Sequence, residues 1–90
     1  MHWFSVKILY ESDAAGRTLG ESSLRLILAA DEAEAAAKAR IVGMRDEHDY
    51  QNDSGQVVRW LFARVLEVQD LCETEIVDGM EVYSHVFTEN

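Results

Sequence analysis

Apolar and polar residues alternate over the first stretch of the chain. Between residues 2 and 10, one side of an extended backbone carries Phe4, Val6, Ile8 and Tyr10. Side chains of a strand point alternately to its two faces, so a period of two predicts a strand with one buried face. Residues 12–20 contain two glycines among small and polar residues, which predicts a long hairpin loop.

A second alternating stretch covers residues 21–30. Its leucines Leu24, Leu26 and Leu28 fall on one side together with Ala30, whereas Ile27 falls on the other. We therefore expect a second strand that buries Leu24 and Leu26.

A helix is predicted to begin after Asp31. The Asp31 carboxylate can accept hydrogen bonds from the free backbone N–H groups of the first turn, and Glu34 occupies the third helical position, as in a capping box. The apolar residues that follow at spacings of four, four and three predict a buried stripe. These residues are Ala33, Ala37, Ile41 and Met44.

Gly43 lies inside the predicted helix. Glycine is less favourable than alanine in a helix by roughly 1 kcal/mol. Two interpretations remain open: the helix frays at Gly43, or the missing side chain permits a close approach to the sheet.

Two further strands are predicted after the helix. Residues 46–55 are acidic and rich in turn formers, which indicates a loop. The next strand is expected over residues 56–71, where Val58, Trp60 and Phe62 share a face. A turn at Asp78 and Gly79 then leads to a last strand over residues 80–87, which should pair with the one before it.

These elements predict a single α+β domain over residues 1–90. It has two layers: a four-stranded, mostly antiparallel sheet in the chain order β-β-α-β-β, with the helix on one face. The face under the helix is expected to carry Phe4, Val6, Ile8, Leu24, Leu26, Trp60 and Phe62.

One helix cannot cover both faces of such a sheet. The opposite face is predicted to mix apolar residues with charges of both signs, which suits a protein interface. Alternatively, long charged side chains shield the apolar positions of a half-exposed sheet. The apolar set is Trp3, Leu9, Ile27, Leu61, Val65, Tyr83 and Phe87, and the interleaved charges are Lys7, Arg25, Arg59, Glu67 and Glu81.

The net charge of −9 changes the choice of partners. Seventeen acidic residues against eight scattered basic ones would repel nucleic acid and anionic lipid, so we expect neither as a partner.

No apolar run of about 18 residues and no basic start before an apolar stretch is present, so neither a membrane span nor a secretion signal is expected. A single cysteine, Cys72, excludes an intramolecular disulfide and favours the cytoplasm.

Three motifs occur in order along nearly the whole chain. They are the opening strand of residues 3–11, then Tyr50-x-Asn52 with Gly55 and Val58-x-Trp60-x-Phe62, and a closing motif at residues 79–84. Together they resemble a bacterial family known only as domain of unknown function 4288. Two departures from the family are Met80, where a small polar residue is expected, and a short loop around Gly16. The resemblance implies the domain and brings no activity, cofactor or site residue with it.

Four residues near the end of the helix combine a carboxylate, a phenol, an amide and an aromatic ring. Glu47, Tyr50, Asn52 and Trp60 could form a small-ligand site or an active site. The structural interpretation is favoured, because asparagine suits a turn and tryptophan suits the core. No nucleophile–base spacing and no phosphate-binding loop is identifiable, so we expect a non-catalytic protein without a cofactor.

Residues 46–49 are the densest group of potential metal ligands, with two aspartates, a glutamate and a histidine. Neighbouring side chains on a helix or turn point in different directions, so few of them can reach one ion. A solvated acidic helix end is favoured over a metal site.

The favoured function is therefore that of a cytoplasmic interaction or accessory protein that self-associates through the open face of the sheet. The expected assembly is a homodimer formed by sheet-to-sheet or edge-to-edge contact. One alternative is an acidic, immunity-like protein that masks a basic partner, supported by small size and charge. The other is a ligand binder or enzyme that uses the polar residues at the helix exit.

Overall fold

A computed structural model describes residues 1–14 and 17–82 of the chain. Within these ranges lie four strands and one helix: β1 (His2–Ala14), β2 (Arg17–Ala29), α1 (Glu32–Arg45), β3 (His48–Gln51) and β4 (Val57–Glu73). The strands form an antiparallel sheet in the order β2-β1-β4-β3, and α1 packs on one of its faces. The predicted α+β fold with the chain order β-β-α-β-β is confirmed.

β1 and β2 form a long hairpin. They pair in unbroken register from His2 opposite Ala29 to Ala14 opposite Arg17. The predicted loop over residues 12–20 is therefore wrong for residues 12–14 and 17–20, while residues 15 and 16 lie outside the described part. The first six residues of β2 are all exposed, so no buried face imposed an alternating pattern on them.

The last two strands differ from the prediction in their positions. β3 lies within residues 46–55, which were expected to form a loop. Its sequence, His-Asp-Tyr-Gln, carries no apolar alternation, so the pattern predicted no strand there. β4 confirms the long strand expected over residues 56–71. Of the strand predicted over residues 80–87, residues 80–82 are not in a strand, and residues 83–87 lie outside the described residues.

α1 begins as predicted, with Asp31 as its N-cap. The Asp31 Oδ1 atom accepts a hydrogen bond from the Glu34 N–H at 2.8 Å. The Glu34 Oε1 atom in turn accepts from the N–H of Ala30, the residue before the cap, at 3.1 Å. Within the described residues, α1 falls short of the length and apolar content that a membrane span requires.

Replacing Asp31 by alanine should lower the free energy of unfolding by about 0.5–2 kcal/mol, because the Glu34 N–H loses its acceptor. Asp31→Asn is the matched control, since its amide oxygen can still accept that bond. Urea titrations followed by circular dichroism would measure both. Equal urea midpoints for Asp31→Ala and the unmodified protein would show that the cap adds nothing to stability.

The helix turns a different stripe to the sheet than the one predicted. Ala33, Ala37, Ile41 and Met44 were expected to be buried, but all four are exposed. The residues that pack on the sheet are instead Ala35, Ala39, Val42 and Gly43.

Gly43 explains why this stripe of α1 packs on the sheet. A Cβ atom at Gly43 would overlap Cδ1 of Phe62 and lie 2.8 Å from its Cε1. The helix therefore sits so close to β4 that only a hydrogen fits at this position. Of the two interpretations of Gly43, the close approach is confirmed.

The register of the hairpin decides which face of β2 is buried. Ile27 stands opposite Phe4, and Arg25 stands opposite Val6. Directly opposite residues of an antiparallel pair share a face, so Ile27 and Arg25 lie on the helix side. Leu24 and Leu26, predicted to be buried, are 47% and 40% exposed on the other side. A shift of one residue exchanges the two faces of a strand.

Bulges cause a similar correction in β4. Its register with β1 shifts three times, and one shift separates the pair Tyr10–Phe62 from the pair Leu9–Arg64. Each extra residue inverts the alternation that follows it. As a result Leu61 faces away from α1 as predicted, whereas Val65, assigned to the same face, packs against the core.

Candidate functional site

Glu47 completes the hydrogen bonding of β4 beyond the end of β3. The β3–β4 ladder ends where His48 stands opposite Trp60. Two residues further along β4, the Phe62 N–H donates to Glu47 Oε2 at 2.9 Å. This carboxylate therefore takes the place of a missing strand residue, which is a structural role.

Asn52 organises the turn between β3 and β4. Its Oδ1 atom accepts hydrogen bonds from the N–H groups of Ser54 at 3.0 Å and Gln56 at 2.9 Å. Gly55 has a φ of 81°, in the left-handed region that glycine adopts without strain. The turn interpretation of Asn52 is confirmed. Tyr50 lies in β3 opposite Val58, and its side chain lies outside the described part.

Trp60 belongs to the core, with 7% of its surface exposed. It lies on the helix side of β4, as does Val58. Glu47 is bonded to the strand backbone and Asn52 to its own turn, so each of these two side chains already has a structural partner. The structure supports a structural role for each of them.

A denser polar cluster, absent from the sequence-based prediction, joins the end of α1 to the sheet. Asp46, the C-cap of α1, accepts hydrogen bonds from Arg25 of β2 and from Nε of Arg45 at 2.9 Å. Arg25 Nη2 also donates to the Tyr10 hydroxyl at 3.4 Å. That hydroxyl donates to the Gly43 carbonyl at 2.8 Å. The prediction missed this cluster because it placed Arg25 on the opposite face.

The pKa values in this cluster suit a structural role. Hydrogen bonds from Arg45 and Arg25 hold the pKa of the Asp46 carboxyl well below its usual range. Burial raises the pKa of the Tyr10 phenol above its usual value of about 10. Near neutral pH the carboxylate stays ionised and the phenol stays protonated, whereas a catalytic acid or base works best with a pKa near the working pH.

The residues of the predicted acidic cluster at 46–49 are each engaged elsewhere. Asp49 accepts from Arg59 Nε at 3.1 Å, and a ring nitrogen of His48 lies 3.1 Å from the carbonyl of Asp46. Asp46 itself is held by the two arginines. In the part of the chain that the structure describes, no group of three or more potential ligands could hold a metal ion.

The sheet surface that faces away from α1 is called here the open sheet face. Its charged residues include Lys7 and Glu67, whose Nζ and Oε2 atoms are 3.9 Å apart. Leu61 is 48% exposed and lies on the same side as the exposed Leu24 and Leu26. The apolar members of this face include Trp3, Leu9, Leu24, Leu26, Leu28, Val57 and Leu61.

The predicted interface residues therefore separate into three groups. Trp3, Leu9 and Leu61 lie on the open sheet face. Ile27 and Val65 lie under the helix, which corrects their assignment. Tyr83 and Phe87 lie outside the described residues. Leu24 and Leu26 join the face because the register turns them outward.

A groove of about 450 Å³ lies where β1 and β4 separate. β1 pairs with β4 only as far as Glu11, opposite Leu61, and beyond that point the two hairpins diverge. The groove is lined by Glu11, Asp13 and Arg59, among others. Ser12, which also lines it, is buried, and its hydroxyl has no hydrogen-bond partner among the described residues.

Comparison with known proteins identifies a family for this fold. No curated protein and no solved structure matches the chain significantly. The family model described as Domain of unknown function (DUF4288) matches residues 3–84, which include the helix and every described strand except the first residue of β1. The chain belongs to this family.

Proposed function

We propose that this protein is a small, non-catalytic cytoplasmic interaction protein that self-associates through its open sheet face. The observation that carries the proposal is a set of exposed leucines, Leu24, Leu26 and Leu61, on the face that α1 leaves uncovered. Exposed apolar residues grouped among charges of both signs are typical of association surfaces.

The proposal predicts how self-association depends on salt concentration. A charge of −9 on each chain opposes assembly of two copies. Added salt screens this repulsion and leaves the apolar contact intact. An association that depends on the leucines should therefore strengthen as the salt concentration rises.

Sedimentation equilibrium at micromolar concentration, in low and in high salt, tests this proposal. We expect a mass above that of the monomer, an increase in that mass with salt, and a decrease in Leu61→Glu, because the new carboxylate would be buried unpaired. Met44→Glu is the matched control, since Met44 is 54% exposed on the helix, across the sheet from Leu61. A monomer in both salt conditions would refute the proposal, as would equal effects of the two substitutions.

A basic protein is the second candidate partner, and the groove between the diverging hairpins favours it. Glu11 and Asp13 place carboxylates at a cleft large enough for a side chain or a short peptide. Attraction to a basic partner weakens with salt, whereas self-association through leucines strengthens. The direction of the salt dependence therefore distinguishes the two partners.

A further inference from the structure

β2 presents a long edge at one side of the sheet. Among the described strands its only neighbour is β1, and the pairing between them runs over all 13 residues of β2 without a register shift. The sequence has no proline, and β2 itself carries no lysine. Proline, lysine and β-bulges are among the devices with which proteins block an edge strand, and β2 has none of them. Its charged residues include Glu21 and Arg25, which can face each other across an edge contact.

One backbone carbonyl on the outer edge of β2 already accepts a hydrogen bond from a side chain. Lys38 Nζ donates to the Leu28 carbonyl at 2.7 Å, which indicates that this carbonyl points away from β1. Since the backbone groups of a strand alternate between its two edges, those of Leu26, Leu24 and Ser22 point outward as well.

An apolar groove runs beside this edge, between β2 and α1. It is lined by Leu26, Ile27, Leu28, Lys38, Ile41 and Val42. Ile41 is 66% exposed although its stripe on the helix is apolar. A strand added to the edge of β2 would place a side chain against this groove.

We propose that two copies of the protein pair antiparallel along their β2 edges, with Ser23 on the two-fold axis. Ser23 is the midpoint of β2, so this register pairs all 13 residues of each strand. It also pairs outward-pointing residues with one another, as Leu24 with Ser22 of the second copy. Sheets extended across an edge in this way are a common mode of self-association.

The side chains of β2 are complementary in this register. Leu19, 37% exposed near the far end of the hairpin, stands opposite Ile27 of the second copy and beside its groove at Ile41. Glu21 stands opposite Arg25 of the second copy, and opposite charges in directly facing positions stabilise a sheet. Each of these contacts occurs twice because of the symmetry.

This contact is distinct from the open sheet face. Antiparallel pairing of identical edges requires a two-fold axis perpendicular to the sheet, so both helices lie on one side of an eight-stranded sheet. The open sheet faces of the two copies then lie together on the other side. Pairing of the edges and burial of the open sheet face can therefore occur together or separately.

Cysteine cross-linking tests the register. In a Cys72→Ser background, Ser23→Cys should form a disulfide with its own symmetry mate, because facing residues lie about 4.5–5.5 Å apart between Cα atoms, within the range of disulfides. Thr18→Cys is the control on the same strand, and the two copies of residue 18 would lie about 30 Å apart. Electrophoresis without reductant should show twice the monomer mass for Ser23→Cys alone.

Amide hydrogen exchange of the unmodified protein gives a second measurement that does not depend on a variant. The outward amides of Ser22 and Leu24 should exchange more slowly as the protein concentration rises. Cross-linking of Thr18→Cys to the same extent as Ser23→Cys would overturn the proposal, as would outward amides that exchange fast at every concentration. Cross-linking that persists in Leu61→Glu would show that the edge contact holds even if the proposed role of the open sheet face fails.

Discussion

Replacing Trp60 by alanine should lower the free energy of unfolding by about 3–5 kcal/mol. The residue is only 7% exposed within the core formed by the sheet and α1. Its removal loses a large apolar contact area and leaves a cavity that the neighbouring strand cannot fill. Small domains have total stabilities of roughly 5–15 kcal/mol, so the variant should be close to unfolding at room temperature.

Thermal or urea denaturation of Trp60→Ala, with Trp60→Phe as the control, measures this effect. Phenylalanine keeps most of the apolar volume, so we expect it to lose less stability than alanine. A Trp60→Ala protein as stable as the unmodified one would contradict the structural role. It would return Trp60 to the group of candidate ligand-binding residues.

Local chemistry made the helix predictable from the sequence. Asp31 caps the helix through a side chain three residues from its partner Glu34, and such a contact needs no knowledge of the rest of the fold. The first strand was predictable for a similar reason, because β1 buries Phe4, Val6 and Ile8 on one face. The burial of Trp60 also follows from its place in an alternating stretch.

Long-range register could not be predicted in the same way. β2 carries apolar residues on both faces, Ile27 and Ala29 on one and Leu24 and Leu26 on the other, so its own pattern does not decide which face is buried. The decision comes from the pairing of Ile27 with Phe4 on another strand. In β4 the bulges invert the alternation, so Val65 leaves the face that its spacing from Leu61 predicts.

The same limit applies to the candidate site. The turn role of Asn52 is local and was predicted, whereas the bond from the Phe62 N–H to Glu47 joins residues 15 positions apart. The contact between Arg25 and Asp46 spans 21 positions and depends on the face of β2. The polar cluster at the helix exit is therefore visible only after the strands are placed in register.

Gly43→Val should lower the free energy of unfolding by about 2–3 kcal/mol, because the added carbons overlap the Phe62 ring. The ring cannot easily move aside, since it packs edge-on against Tyr10 with 6.4 Å between ring centroids. The helix would have to lift away from β4, which would also strain the bond from the Tyr10 hydroxyl to the Gly43 carbonyl.

A second background separates this overlap from the intrinsic helix preference of valine. In a Phe62→Ala protein the ring is gone, so Gly43→Val should cost little or should even stabilise by filling the space. Ala37→Gly and Ala37→Val are matched controls at an exposed position of the same helix, and the difference between them reports the helix preference alone, about 0.4 kcal/mol in favour of valine over glycine. If Gly43→Val destabilised the protein equally with and without the Phe62 ring, close packing of α1 on β4 would not explain the glycine. Urea denaturation of the unmodified protein, Gly43→Val, Phe62→Ala and the double variant provides this comparison.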